Sequence, residues 1–134
     1  MPPKLFTLEQ ANALIAVVQP IIERLQPKAV EAREKHTELA ALLEKAPEGN
    51  GHNIQREADA VVLRAELEAL VQDIQEGVEE IQAYGCEVKD VESGLVDFRS
   101  FRDDRVVYLC WRLGEPEITT WHELDTGFSG RQPL

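Results

Sequence analysis

The sequence predicts an α+β fold, a long antiparallel helical hairpin packed with a small three- or four-stranded antiparallel β-sheet. Two observations carry this. Apolar residues recur every three or four positions through the first 84 residues, and from Cys86 onward they alternate every second position instead. The 134 residues suit one domain, divided into a hairpin over 6–46 and 54–84, a meander over 86–124 and a tail over 125–134.

In the first helix, alternate steps of three and four from Leu8 reach Ala11, Ile15, Val18, Ile22, Leu25, Ala29, Ala32, His36, Leu39, Leu43 and Ala46. This is the seam of a helical hairpin or antiparallel coiled coil, and His36 is its only polar member, a position that often fixes register. Thr7 with Gln10 has the spacing of a capping box, and Phe6 before it can act as a hydrophobic staple. Pro20 and Pro27 fall one heptad apart on the side away from the seam, where bends or one break are expected. "APEGNGHN" over 46–53 is a loop in which Asn53 can cap the next helix and His52 is expected to be exposed. A second seam then runs Ala60, Leu63, Leu67, Leu70, Ile74, Gly77, Ile81 and Tyr84, with Gly85 as its stop. Gly77 on that seam implies a close approach of the two helices. Both helices carry a second apolar stripe, including Leu14, Val17, Val61 and Val62, which points to a homodimer through the helices.

"GLVDFRS", "RVVYLCWRL" and "EITTWHE" alternate like strands, and "CEVKD" is a weaker fourth candidate. Tight turns at Asp103-Asp104 and Gly114-Glu115 would fix the register. Val96, Phe98, Val107, Leu109, Trp111 and Ile118 would then face the helices. Asp97, Arg99, Tyr108, Cys110, Arg112, Glu117, Thr119 and Trp121 would face outward, with Arg112 opposite Glu117 and His122 on the inner side.

The net charge of −11 disfavours a nucleic-acid partner. Cys86 and Cys110 are not in a C-x-x-C arrangement, and "MPPKLFTLEQ" lacks the layout of a secretion signal, so free thiols and a cytoplasmic location are expected. No apolar run is long enough to span a membrane.

No complete catalytic signature occurs, which leaves enzymatic activity open. One reading is a non-catalytic module that binds a small ligand or protein partner on the outer sheet face. Asp97, Arg99, Tyr108, Cys110, Arg112, Trp121 and Arg131 would be its contact residues, the arginines anchoring acidic groups and the aromatics stacking. The tail "GFSGRQPL" would be its lid if Phe128 docks on the core and Arg131 closes over the face, and only a frayed terminus, the default for the last residues of a domain, if it does not. The alternative is a transition-metal protein or metal-dependent enzyme, holding zinc or iron through His122, Glu123 and Asp125, joined by Cys110 or Asp97.

"GLVDF", "VVYLCWRLGE" and "WHELDTGFSGRQPL", with "FTLEQANAL" and "GCEVKD", resemble the uncharacterised prokaryotic family known as domain of unknown function 2203. The resemblance spans nearly the whole chain. It implies a small cytoplasmic protein, and it supplies no reaction, cofactor or catalytic residue to carry over.

Overall fold

The computed structural model describes residues 4–44 and 54–134, so the loop containing His52 and Asn53 lies outside the described residues. Helix α1 spans Leu8–Glu44 and α2 spans Ile54–Gln82. The capping box forms in both directions: Gln10 N–H donates to Thr7 Oγ1 (3.1 Å) and Thr7 N–H donates to Gln10 Oε1 (3.0 Å). Phe6 is buried edge-on against Phe98, ring centroids 5.3 Å apart, and its amide donates to the Arg99 carbonyl at 2.7 Å. The start of α1 is thus tied to the sheet.

No break occurs at the prolines. Helix α1 runs through Pro20 and Pro27, both exposed, and the carbonyls they leave unpaired belong to Ala16 and Glu23, also exposed and open to water. The ion pairs Arg24–Glu80 (3.3 Å) and Lys28–Asp73 (2.8 Å) advance along α1 as they retreat along α2, as an antiparallel pair requires. Between them Gly77 meets Leu25 so closely that a Cβ there would lie 2.5 Å from Leu25 Cδ2. His36, however, is exposed rather than buried on the seam. The α1 residues that share the core with the sheet run from Ala11 to Leu25, and His36 lies about three turns beyond them, where the sheet no longer covers that side of the helix; Leu8, before them, is also exposed.

The sheet is an antiparallel meander in the order β1 (Glu87–Asp90), β2 (Leu95–Arg102), β3 (Arg105–Arg112), β4 (Thr120–His122) and β5 (Gln132–Pro133). It has five strands because "CEVKD" does form an edge and the tail adds a two-residue strand. Val96, Phe98, Val107, Leu109, Trp111 and Trp121 form the inner face and share one core with Ala11, Ile15, Val18, Ile22 and Leu25 of α1 and Ile81 of α2. Asp103 and Asp104 take φ of 51° and 62°, the two left-handed residues of a tight hairpin turn, and the β2–β3 register matches Asp97 with Cys110 and Arg99 with Tyr108 as expected.

The β3–β4 connection differs from the expected tight turn. Strand β3 ends at Arg112, and pairing resumes only at Thr120. Glu115 ties the intervening loop to the end of β3: its Oε1 accepts the Arg112 amide (2.7 Å) and its carbonyl accepts Trp111 Nε1–H (2.9 Å). Pro116 has no amide to offer a ladder, and the Ile118 amide is taken by Asn12 Oδ1 of α1 at 2.8 Å. Tyr108 therefore pairs with His122 and Leu109 with Trp121, one residue away from the register in which Tyr108 faces Trp121 and Arg112 faces Glu117. A one-residue slip exchanges the faces of a strand. Trp121 goes into the core and His122 comes out beside Asp97 and Cys110.

Candidate functional site

Asp97 is the third residue of β2, directly across from Cys110 on β3, which in turn faces Thr120 on β4. His122 stands one row along and reaches diagonally over β3, placing Nε2 2.9 Å from Asp97 Oδ2. Both side chains are almost completely buried, at 2% and 3% exposure. The ligand atoms of Asp97, Cys110 and His122 all lie within 4.8 Å of one another, and all three residues are buried.

The protonation pattern follows from the partners. His122 Nδ1 is 2.7 Å from the Glu123 carbonyl, which can only accept, so Nδ1 carries a proton and Nε2 is the nitrogen directed into the cluster. Burial raises the Asp97 pKa against the opposing pull of His122. Burial also pushes the Cys110 thiol up to about 12, with the Asp97 charge and the hydrogen bond between the two groups adding to the effect. A cysteine nucleophile needs its base against sulfur and a depressed thiol pKa. Here His122 Nε2 faces Asp97 and the thiol is held protonated, so the trio is not a nucleophilic triad.

A second layer surrounds the cluster. Tyr108 is buried with its ring 5.3 Å from that of His122, and its hydroxyl donates to Glu87 Oε1 at 3.1 Å. Glu87 also receives Arg99 (2.8 Å) and Lys89 (3.1 Å), and Lys89 Nζ lies 4.6 Å from the Tyr108 ring centre. The tail then folds over the face. Phe128 opens a short 3₁₀ turn (Phe128–Gly130), Arg131 stacks on its ring at 4.3 Å and reaches Glu115 at 3.2 Å, and β5 pairs with β4 beyond it. Beneath this cover a cavity of about 180 Å³ is lined by Lys89, Leu95, Asp97, Tyr108, Cys110, His122, Leu124, Gly127 and Phe128.

Of the residues expected to bind a ligand, Asp97, Arg99, Tyr108, Cys110 and Arg112 share the outer face and Arg131 closes over it, whereas Trp121 lies on the inner face with Arg102 4.9 Å from its ring. Of the expected metal trio only His122 joins the cluster. Glu123 is held by the Arg105 guanidinium past the end of β4, and Asp125 is exposed in the following turn. Leu95, Leu124 and Lys89, which complete the cavity wall, were not expected from the sequence. A bulge between Val88 and Asp90 interrupts the alternation that could have marked Lys89.

The fold and this cluster define a small α+β protein with a polar cluster buried between a sheet and a C-terminal cover. The chain belongs to the family described as "Uncharacterized conserved protein (DUF2203)", which it matches over residues 4–134. No curated protein and no solved structure matches it significantly. Among the described residues no helix is long and apolar enough to cross a membrane.

Proposed function

We propose that the protein binds a divalent transition metal, zinc or iron(II), through Asp97, Cys110 and His122. The observation that carries this reading is the convergence of one oxygen, one sulfur and one nitrogen donor within 4.8 Å in a buried place. Bonds of about 2.0–2.3 Å in a tetrahedron set ligand atoms about 3.3–3.7 Å apart. The 2.9 Å His122–Asp97 contact would open by a few tenths of an ångström to admit the ion. The donor set matches metals of borderline softness, and one thiolate with one carboxylate neutralises a 2+ ion among buried side chains. The Glu123 carbonyl on Nδ1 is the outer partner that commonly orients a ligating histidine through its far nitrogen.

The alternative, an open face that binds a ligand or protein through its arginines and aromatics, has less support. Arg99 is committed to Glu87, Tyr108 is buried, and the tail lies over the face. Three protein ligands leave a position free, in the manner of metal sites that bind or activate a further molecule.

Equilibrium dialysis of the untagged, metal-free chain against Co(II) tests the assignment. The expected result is one ion per chain with a thiolate-to-cobalt charge-transfer band, lost in Cys110→Ser and with loading strongly weakened in His122→Ala. A wild-type chain that takes up no cobalt, or variants that load as well as wild type, would overturn it.

A further inference from the structure

Building on the metal reading, we infer that the free coordination position takes a small monocarboxylate with an apolar body, held under the C-terminal cover. The cavity over the three ligands measures about 180 Å³. A cavity of about 150 Å³ suffices for benzene, so the space admits a molecule of about six to nine non-hydrogen atoms. Its chemistry is divided. Asp97, Cys110 and His122 form one wall, and Leu95, Leu124 and Phe128 supply apolar wall. A ligand that matches this division has one coordinating group and a hydrophobic remainder.

Charge selects the head group. A 2+ ion with the Asp97 carboxylate and the Cys110 thiolate sums to zero. Around it, Lys89 and Arg99 share the single carboxylate of Glu87, Arg131 pairs with Glu115, and the Arg112 guanidinium stands 5.7 Å from the Phe128 ring, leaving positive charge in excess. Lys89 lines the cavity itself, with Nζ 3.4 Å from the Tyr108 hydroxyl. A negatively charged head is favoured by that excess, and a carboxylate is the small group that also serves as a metal ligand. The lengthwise limit is set by Phe128, which is held in place by Arg131 and Glu115.

The test uses the full Co(II)-loaded chain and a graded series of probes: acetate, butyrate, benzoate, 2-naphthoate and neutral benzamide, each followed through the visible cobalt spectrum. Benzoate should bind at least tenfold more tightly than acetate, benzamide and 2-naphthoate. Lys89→Met, measured after saturation with cobalt, should weaken benzoate about tenfold, and Phe128→Ala should remove the penalty on 2-naphthoate by opening the wall. Lys89 is a partly exposed edge residue, so its replacement leaves the core intact. Cobalt that loads but whose spectrum no carboxylate alters would overturn this inference and leave the metal reading standing. So would equal affinities across the series, or full benzoate affinity in Lys89→Met. A chain that loads no cobalt would overturn both.

Discussion

Replacing Trp121 by alanine measures the register of β4 directly. Trp121 is 6% exposed and belongs to the core shared by the sheet and α1. A buried tryptophan removes about 150–250 Å² from water, worth about 4–6 kcal/mol at about 25 cal/mol per Å², and Trp→Ala changes in cores cost about 3–5 kcal/mol. The expected loss for Trp121→Ala is therefore about 3–5 kcal/mol. In the neighbouring register Trp121 would stand on the outer face beside Arg99, where such stacking contributes about 0.5–1 kcal/mol. Urea unfolding followed by far-ultraviolet circular dichroism separates the two, with exposed Thr119→Ala as the comparison, expected to stay within about 0.5 kcal/mol of wild type. A loss below about 1.5 kcal/mol for Trp121→Ala would refute the register, and with it the placement of His122 beside Asp97.

Two further outcomes rest on titration. Burial alone would raise the Glu87 pKa, but hydrogen bonds from Lys89, Tyr108 and Arg99 outweigh it and hold the carboxyl below its ordinary 4.5. A carboxylate depressed in the folded state stabilises the fold above its unfolded pKa, and that contribution disappears as pH falls through the folded value. The gap in urea midpoint between wild type and Glu87→Gln should thus be present at pH 7 and close as pH falls below the ordinary carboxylate range; a gap independent of pH would contradict the network. Burial raises Cys86 to about 11 and Cys110 to about 12, and both are free thiols. Iodoacetamide at pH 8 should leave the native chain unlabelled and modify both cysteines after unfolding in guanidinium, whereas rapid native labelling of either would show an accessible thiolate.

The parts of the fold written in local chemistry were legible in the sequence: the capping box at Thr7, the Asp103-Asp104 turn and the row joining Asp97 to Cys110. Each depends on residues close in the chain, or on a hairpin whose loop fixes its own register. The site was only half legible, because the remaining half depends on the loop from Leu113 to Thr119. There Asn12, more than a hundred positions earlier, captures the Ile118 amide, and no spacing rule within the strands reports such a partner. One residue of slack exchanged Trp121 for His122. The seam through His36 failed for another reason: a heptad count does not report how far the sheet reaches along the helix, and burial on α1 is concentrated between Ala11 and Leu25, where the sheet also covers it.

The Asp97–His122 pair also bears on why this sheet has a polar interior beneath its tail. Burying a carboxylate and an imidazole is costly, and apolar residues of similar size often serve stability as well or better. The surroundings here would tolerate the exchange. The cavity leaves room for added methyl groups, and the Glu123 carbonyl retains the Thr126 hydroxyl at 3.3 Å if His122 is lost. Asp97→Val alone leaves Nε2 of His122 without a partner and should destabilise the metal-free protein by about 1–3 kcal/mol. The double variant Asp97→Val/His122→Leu removes both partners and should fall within about 1 kcal/mol of wild type, or above it. Urea unfolding of the metal-free chains at pH 7 gives the comparison as a double-mutant cycle. A double variant more than about 3 kcal/mol below wild type would mean that the pair is there to hold the sheet together. Recovery in the double variant means that folding does not require these two side chains, which leaves their chemistry as the reason for a buried Asp97 and His122.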